Sequence, residues 1–329
     1  MTDWVALSDL SLPQDDDRVL QDGLFVCEVA LPLATTAVLI DWQASEPEKR
    51  TFSIFFDQST GIVVLHRVGN AVRRHVLPGP IPFTLGTARI TYGWNLRSGK
   101  WTLGYGRIGM GEERTVVGIN PIALSMAELS AICRPDGAGS RHPALLWFGV
   151  TRGKSPPERA PWVGLRTPIE TLRGPVAAGN LSVGDLVFTA DNGLQPILRL
   201  TRLRLPSRGS FAPVILRAPF LGQSTDMLLS ADQLVVLSGA EVEYMFGLEE
   251  VLVRANALAN GTIARSDSLQ SSTDCIAIDL GLPELMIVDD LKILSHGLAS
   301  AEAPRKVLQA YEAQQLVSLM ARRCLFGAA

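Results

Sequence analysis

The chain of 329 residues is poor in the groups from which most reactive sites are built. Its four cysteines, Cys27, Cys133, Cys275 and Cys324, stand far apart without a CxxC pair, so neither a zinc ribbon nor a dithiol redox motif is encoded. Reduced, buried thiols are expected in place of a disulfide framework. The four histidines, His66, His75, His142 and His296, show no metal-ligand spacing, and no metal and no cofactor is assigned. Charge excess is lacking too. With 30 basic and 33 acidic residues, a net −3, the chain has no global electrostatic attraction to nucleic acid or an anionic membrane. No apolar run approaches the ~18 residues of a membrane span. Met1 to Gln14 lacks the basic start and apolar core of a secretory signal, so a cytoplasmic location, or export by a signal-less route, is expected.

What is present is globular: 47% hydrophobic and 19% charged residues, enough for two domains of ordinary size. The 29 glycines and 20 prolines divide short apolar runs, a pattern of turns and strands. Leu24 to Leu31, Thr36 to Trp42, Thr51 to Phe56, Gly61 to Arg67 and Val72 to Leu77 are rich in β-branched or aromatic residues. Thr87 to Trp94 and Lys100 to Arg107 form a hairpin pattern across Asn95 to Gly99. Strands at this spacing predict a β-sandwich over residues 1–150. One helix interrupts it, opened by the capping-box residues Ser125 and Glu128. Thr151 to Pro161, polar and carrying three prolines, reads as a linker. A second β domain is expected over 162–300, including Gln195 to Leu205, Asp226 to Leu237, Glu250 to Arg254 and Cys275 to Asp279. A helical tail follows over 301–329, with Pro304 in its first turn and Gly327 at its end. It serves either as a helix docked on its own domain or as an oligomerisation helix.

Several motifs reduce to structure. Gly104, Gly106 and Gly109 match GxGxxG, but the following residues have no helical period, so the run is a glycine-rich strand end and no dinucleotide site. Glu112–Glu113 and Asp289–Asp290 read as solvated loops. Asp15 to Asp17 reads as an acidic stretch sooner than a calcium site. Tyr92, Trp94 and Trp101 raise a further possibility, since aromatic faces in a β-sandwich stack on sugar rings. Alternation equally places them in the core, and Trp94 and Trp101 are spaced to face one another at the hairpin mouth.

The most informative stretch runs from Trp162 to Gly193, WVGLRTPIETLRGPVAAGNLSVGDLVFTADNG. Thr167 to Thr171 is extended, Arg173–Gly174 turns, and Leu186 to Thr189 leads into the hairpin signal Asp191–Asn192–Gly193. The run resembles the opening of the bacterial Hint domains, the Hedgehog/intein autoprocessing fold, over about 165–300. The 87–105 region resembles laminin-G and concanavalin-like jelly rolls more loosely, by pattern alone. The Hint resemblance implies an intramolecular acyl shift. A Cys or Ser at the first position attacks the preceding carbonyl, and a histidine protonates the leaving amide. Counting back from Gly174, the nucleophile falls on Trp162. The family's LSPxHRxLV element stands here as Leu229 to Val236, with Gln233 in the histidine's place. A later Asp-x-His pair is half kept as Asp279 and Gly281, and His296–Gly297 stands where inteins end in His-Asn.

An indole is no nucleophile toward a carbonyl, and a neutral amide is no general acid. The sequence therefore predicts an all-β protein whose Hint-like domain is catalytically degenerate at Trp162, Gln233 and Gly281. The role expected is non-catalytic binding or assembly, with a protein partner or self-assembly. The alternatives are glycan binding through Tyr92, Trp94 and Trp101, and self-cleavage by a displaced nucleophile.

Overall fold

The computed structural model describes residues 4–10, 18–33, 36–46, 48–82, 84–134, 139–152, 161–297 and 302–326, with side chains described up to 321. The chain divides into two compact units, one of Thr2–Pro157 with Arg208–Ser210, the other of Glu158–Ser207 with Phe211–Ala329. The predicted linker lies for the most part, at 153–160, outside the described residues, as do Asp15 to Asp17 and Gly327.

The first unit contains eleven described strands. They are β1 (Trp4–Leu7), β2 (Asp22–Leu31), β3 (Thr36–Ala44), β4 (Arg50–Asp57), β5 (Gly61–Val68) and β6 (Ala71–Pro78). Then come β7 (Gly86–Asn95), β8 (Lys100–Arg107), β9 (Glu113–Ile119), β10 (Gly139–Arg141) and β11 (Leu145–Thr151). They form two antiparallel sheets, ordered β1-β11-β2-β7-β8-β9 and β10-β3-β4-β5-β6. Because side chains alternate across a strand, each sheet contributes every second residue to one shared core. Phe25, Ile90 and Tyr92 from the six-stranded sheet meet Phe52, Ile54 and Val64 from the five-stranded one. The Phe25 and Phe52 rings, 5.2 Å apart, join the two layers. This is the expected sandwich.

Helix α1 (Met126–Cys133) carries the complete predicted capping box: Glu128 N donates to Ser125 Oγ, and Ser125 N donates to the Glu128 carboxylate at 2.6 Å. The glycine-rich run lies on β8 and its exit, and the next element is strand β9, as the structural reading requires. Gly104 is needed there, since a Cβ would stand 2.5 Å from Thr91 Oγ1.

The second unit continues with β12 (Val163–Gly164), β13 (Pro168–Thr171), β14 (Gly174–Ala177), β15 (Leu186–Thr189), β16 (Gly193–Pro196) and β17 (Arg199–Pro206). After these come β18 (Val214–Leu216), β19 (Met227–Leu229), β20 (Leu234–Ser238), α2 (Ala240–Phe246) and β21 (Glu250–Arg254). The last are β22 (Ala264–Ser266), β23 (Ser272–Asp279), β24 (Leu285–Val288), β25 (Leu291–Leu294) and α3 (Ala310–Phe326). One sheet runs β17-β23-β12-β19-β18-β22; the other runs β14-β13-β15-β24-β25-β20-β21, with β16 paired to β15. The β15–β16 hairpin turns through Asp191 and Asn192, with Gly193 at φ 64 in the left-handed position.

Three expectations change here. Asp226 to Leu237 is two strands, β19 and β20, because Ser230 to Gln233 makes a turn closed by Gln233 N on Ser230 O at 3.1 Å. Gln195 to Leu205 likewise breaks at Ile197, whose N–H bonds Asp185 O. The tail helix begins at Ala310, not near Pro304: Leu252 N bonds Lys306 O and Leu308 N bonds Leu252 O, which holds that stretch extended against β21. Leu308, Ala313, Leu316 and Val317 then pack into the second unit's core, so the tail is docked on its own unit.

Candidate functional site

The second unit gathers the degenerate positions through backbone bonds. Trp162, immediately before β12, is 3% exposed. Its N–H donates to Ser230 Oγ at 3.3 Å, and Ser230 N donates to Trp162 O at 3.0 Å. The neighbouring Val163 pairs with Leu229 on one side and Ile276 on the other. The position is therefore wedged between β19 and β23, and its indole is no nucleophile toward a carbonyl.

From Ser230 the turn leads to Gln233, 2% exposed. Its Nε2 donates to Leu294 O at 2.7 Å and to Leu234 O at 3.3 Å, while Ala255 N donates to its backbone oxygen at 2.8 Å. The side chain is thus a cross-brace between β20 and β25. An amide suits this role, because it offers two N–H donors at any pH, where an imidazole must choose a tautomer. Two residues beyond Leu294 lies His296, whose backbone bridges Asp279 and whose N–H bonds Ile278 O at 2.8 Å. Asp279 accepts from Gly281 N at 2.8 Å and from Arg199 at 2.8 Å. Gly281 is there for its backbone: φ is 90, and a Cβ would lie 2.8 Å from Leu198 Cδ1. Backbone and side-chain bonds join Trp162 to Ser230 and Ser230 to Gln233, and a separate backbone bridge joins His296 to Asp279. Asp279 is committed to an ion pair and a turn, and Gln233 to two carbonyls.

Thr167 lies at the β12–β13 turn, buried, its N–H on Gly164 O and its carbonyl taken by Ala178 N. Its Oγ1 is buried with no partner among the described residues. Ser230 is the hydroxyl that sequence reasoning passed over. The signal was its place in Leu-Ser-x-x-x, where a serine at a strand end bonds a neighbouring backbone.

The first unit places its candidates differently. Tyr92 and Trp94 point into the core, Tyr92 fully buried and Trp94 with Nε1 on Leu20 O at 2.8 Å. Their ring faces are inside the sandwich, so the three aromatics do not form an exposed stacking platform. Trp101 pairs opposite Trp94, as the hairpin spacing implies, and is half-buried against His75 at 4.5 Å. His66 and His75 are core residues; burial pushes both imidazoles down to about 4. Burial also pushes the Cys133 thiol up to about 12, which keeps it protonated and unreactive.

One unpredicted polar cluster stands out. Glu28, fully buried on β2, accepts from Arg89 at 2.7 Å, Trp147 Nε1 at 3.0 Å and both the N–H and Oγ of Ser210. A carboxylate within the apolar run FVCEVAL was the available signal, since a buried acid requires a cation and several donors. With every oxygen occupied, the cluster is structural.

Comparison with known proteins agrees on the second unit. Residues 165–296 match the Hint domain family. The match begins three residues after Trp162 and includes Gln233, Asp279 and Gly281. No curated protein matches the chain. Among solved structures it is similar to tailspike protein 2 of Escherichia coli O157:H7 bacteriophage CAB120, at 11% identity and TM-score 0.28, covering 41% of this chain and 20% of that one. It is similar to the LG1-3 region of the laminin alpha2 chain, at 11% identity and TM-score 0.29, covering 93% and 62%. A heptameric SAP-like pentraxin from Limulus polyphemus gives 14% identity and TM-score 0.19, covering 46% and 96%. The chain thus spans a fifth of the tailspike chain and under two thirds of the laminin fragment. Scores this low establish neither a shared ligand nor a shared activity. The brace at Gln233, the turn at Gly281 and the bridge at His296 all fall inside the range, residues 165–296, that matches the Hint domain family.

Proposed function

We propose that the chain is a non-catalytic binding or assembly protein in which the Hint domain serves as a scaffold. The observation that carries this reading is the fixed role of Gln233, whose side chain joins β20 to β25 where the family reaction needs an acid. Trp162 adds to it, being buried at the position that the spacing assigns to the nucleophile. An acyl shift requires an attacking oxygen or sulfur and a proton donor to the amide. Neither is offered by an indole and a neutral amide. The test is the integrity of the purified full-length chain under dithiothreitol or hydroxylamine, which trap thioester and ester intermediates. The whole chain alone should persist.

A glycan-binding reading draws support from one feature other than the aromatic platform. A groove of about 320 Å³ lies on the six-stranded sheet, lined by the apolar residues Leu24, Trp94 and Val117 and by the polar residues Asp22, Asn95 and Lys100. Apolar linings with a few polar groups suit small ligands. A glycan array on the wild type beside Asp22→Asn tests it: hits lost in the variant support the reading, and a blank array removes it.

A further inference from the structure

Strand β5 is apolar on both faces. Ile62 and Val64 point into the sandwich core, whereas Val63 and Leu65 point the other way. The outer residues belong to a row in register across four strands: Val38, Phe55, Val63 and Val76. Val38 and, further along, Val72 are exposed at 41% and 46%, and the rest of the row is half-buried. A solvated antiparallel sheet face is ordinarily polar, so a continuous apolar row marks a face that associates.

The flanking row identifies the associate. It reads Asp41, Ser53, Leu65, Arg74 across β3, β4, β5 and β6. The acid stands at one side of the sheet and the cation at the other. Asp41 accepts from Ser53 Oγ at 2.5 Å and Gln43 Nε2 at 3.1 Å, and has no cationic partner among the described residues. Arg74 is exposed and unpaired among the described residues.

We propose that this face packs against the same face of a second copy, about a two-fold axis that runs along the strands between β4 and β5. That axis exchanges β3 with β6 and β4 with β5 while keeping each row level. Val38 then lies over the partner's Val76 and Phe55 over the partner's Val63. Asp41 of each copy meets the partner's Arg74, so the pair forms twice. Sheets packed face to face with nearly aligned strands stand about 10 Å apart, which these side chains span. A two-fold axis across the strands would instead set Asp41 over Val38 and leave both charges unmatched. The surface is self-complementary in the isologous sense that a symmetric dimer needs.

The proposal rests on the assembly side of the function given above, and its failure is separable. A monomer that stays uncleaved overturns the dimer alone; a cleaved chain overturns the non-catalytic reading alone. Sedimentation velocity over a dilution series of the full-length protein should show a species of twice 35.5 kDa. Arg74→Asp, an exposed change that leaves the fold intact, should weaken dimerisation about tenfold or more, as like charges across an interface do. The double variant Asp41→Arg with Arg74→Asp should restore it, because the pair is only exchanged. A wild type that is monomeric throughout, or a dimer indifferent to both Arg74→Asp and Val63→Lys, would overturn the proposal.

Discussion

Gln233 and Thr167 are both buried polar residues of the second unit and make opposite predictions. Gln233 is buried and donates to two carbonyls, those of Leu234 and Leu294, so Gln233→Ala removes two hydrogen bonds and should cost about 1–3 kcal/mol. Thr167 buries a hydroxyl that has no partner among the described residues. Thr167→Val keeps its shape and removes the unmet polar atom, so the change should be neutral or stabilising. Chemical denaturation of the two variants measures both, and a large loss for Thr167→Val would point to a role for the hydroxyl that packing does not explain. The sequence singled out both residues through their spacing from Gly174 and within Leu229 to Val236. Their bonding was not legible there, since Leu294 lies 61 residues from Gln233 and only the β20–β25 pairing brings its carbonyl across. Glu28 was missed for a related reason: its donors come from β7, β11 and Ser210, at separations of 61 to 182 residues.

At the level of elements, local chemistry that completes itself within a few residues was readable. The Ser125–Glu128 capping box and the Asn192–Gly193 hairpin both form as the sequence implies. The start of the tail helix was misjudged because proline suits a first helical turn equally well in isolation. The stretch before α3 is instead claimed by β21 through Lys306 and Leu308. The pair His66 and His75, on neighbouring strands β5 and β6, shows the same dependence on packing. His66 Nδ1 lies 3.0 Å from Ile122 O and donates to it, because the carbonyl can only accept. Its Nε2 and that of His75 are buried without a partner among the described residues. Burial lowers both pKa values from 6.5 to about 4, aided by Arg50 near His66 and by His66 and Arg73 near His75. The native state thus binds fewer protons than the unfolded chain between these values. Stability from this pair is full above pH 6.5 and falls as the pH drops toward 4, by about 1.4 kcal/mol per pH unit for a fully buried imidazole. Melting temperatures from pH 8 to 4 should show that decline, and His66→Leu should reduce its slope. An equal slope in the variant would assign the acid sensitivity to other groups.

Across the whole molecule, the division into a sandwich and a Hint domain was visible in strand spacing and in one motif-bearing stretch, because both depend on pattern more than on distant contacts. What the sandwich presents to solvent was not visible. Alternation assigns residues to two faces but does not say which face is wet, and so Tyr92 and Trp94 read equally as platform or core. The structure puts them in the core and reveals on the opposite sheet the row Val38, Phe55, Val63 and Val76. These observations support the proposal that the chain works by its surfaces, with the Hint-like region serving as a scaffold. The most direct check is the intact mass of the full-length protein after prolonged incubation with dithiothreitol or hydroxylamine. A single species at 35.5 kDa is the result expected of a scaffold. A pair of fragments whose break falls between Pro161 and Thr167 would contradict it, and would mean that the acyl shift proceeds without a cysteine at Trp162 or a histidine at Gln233.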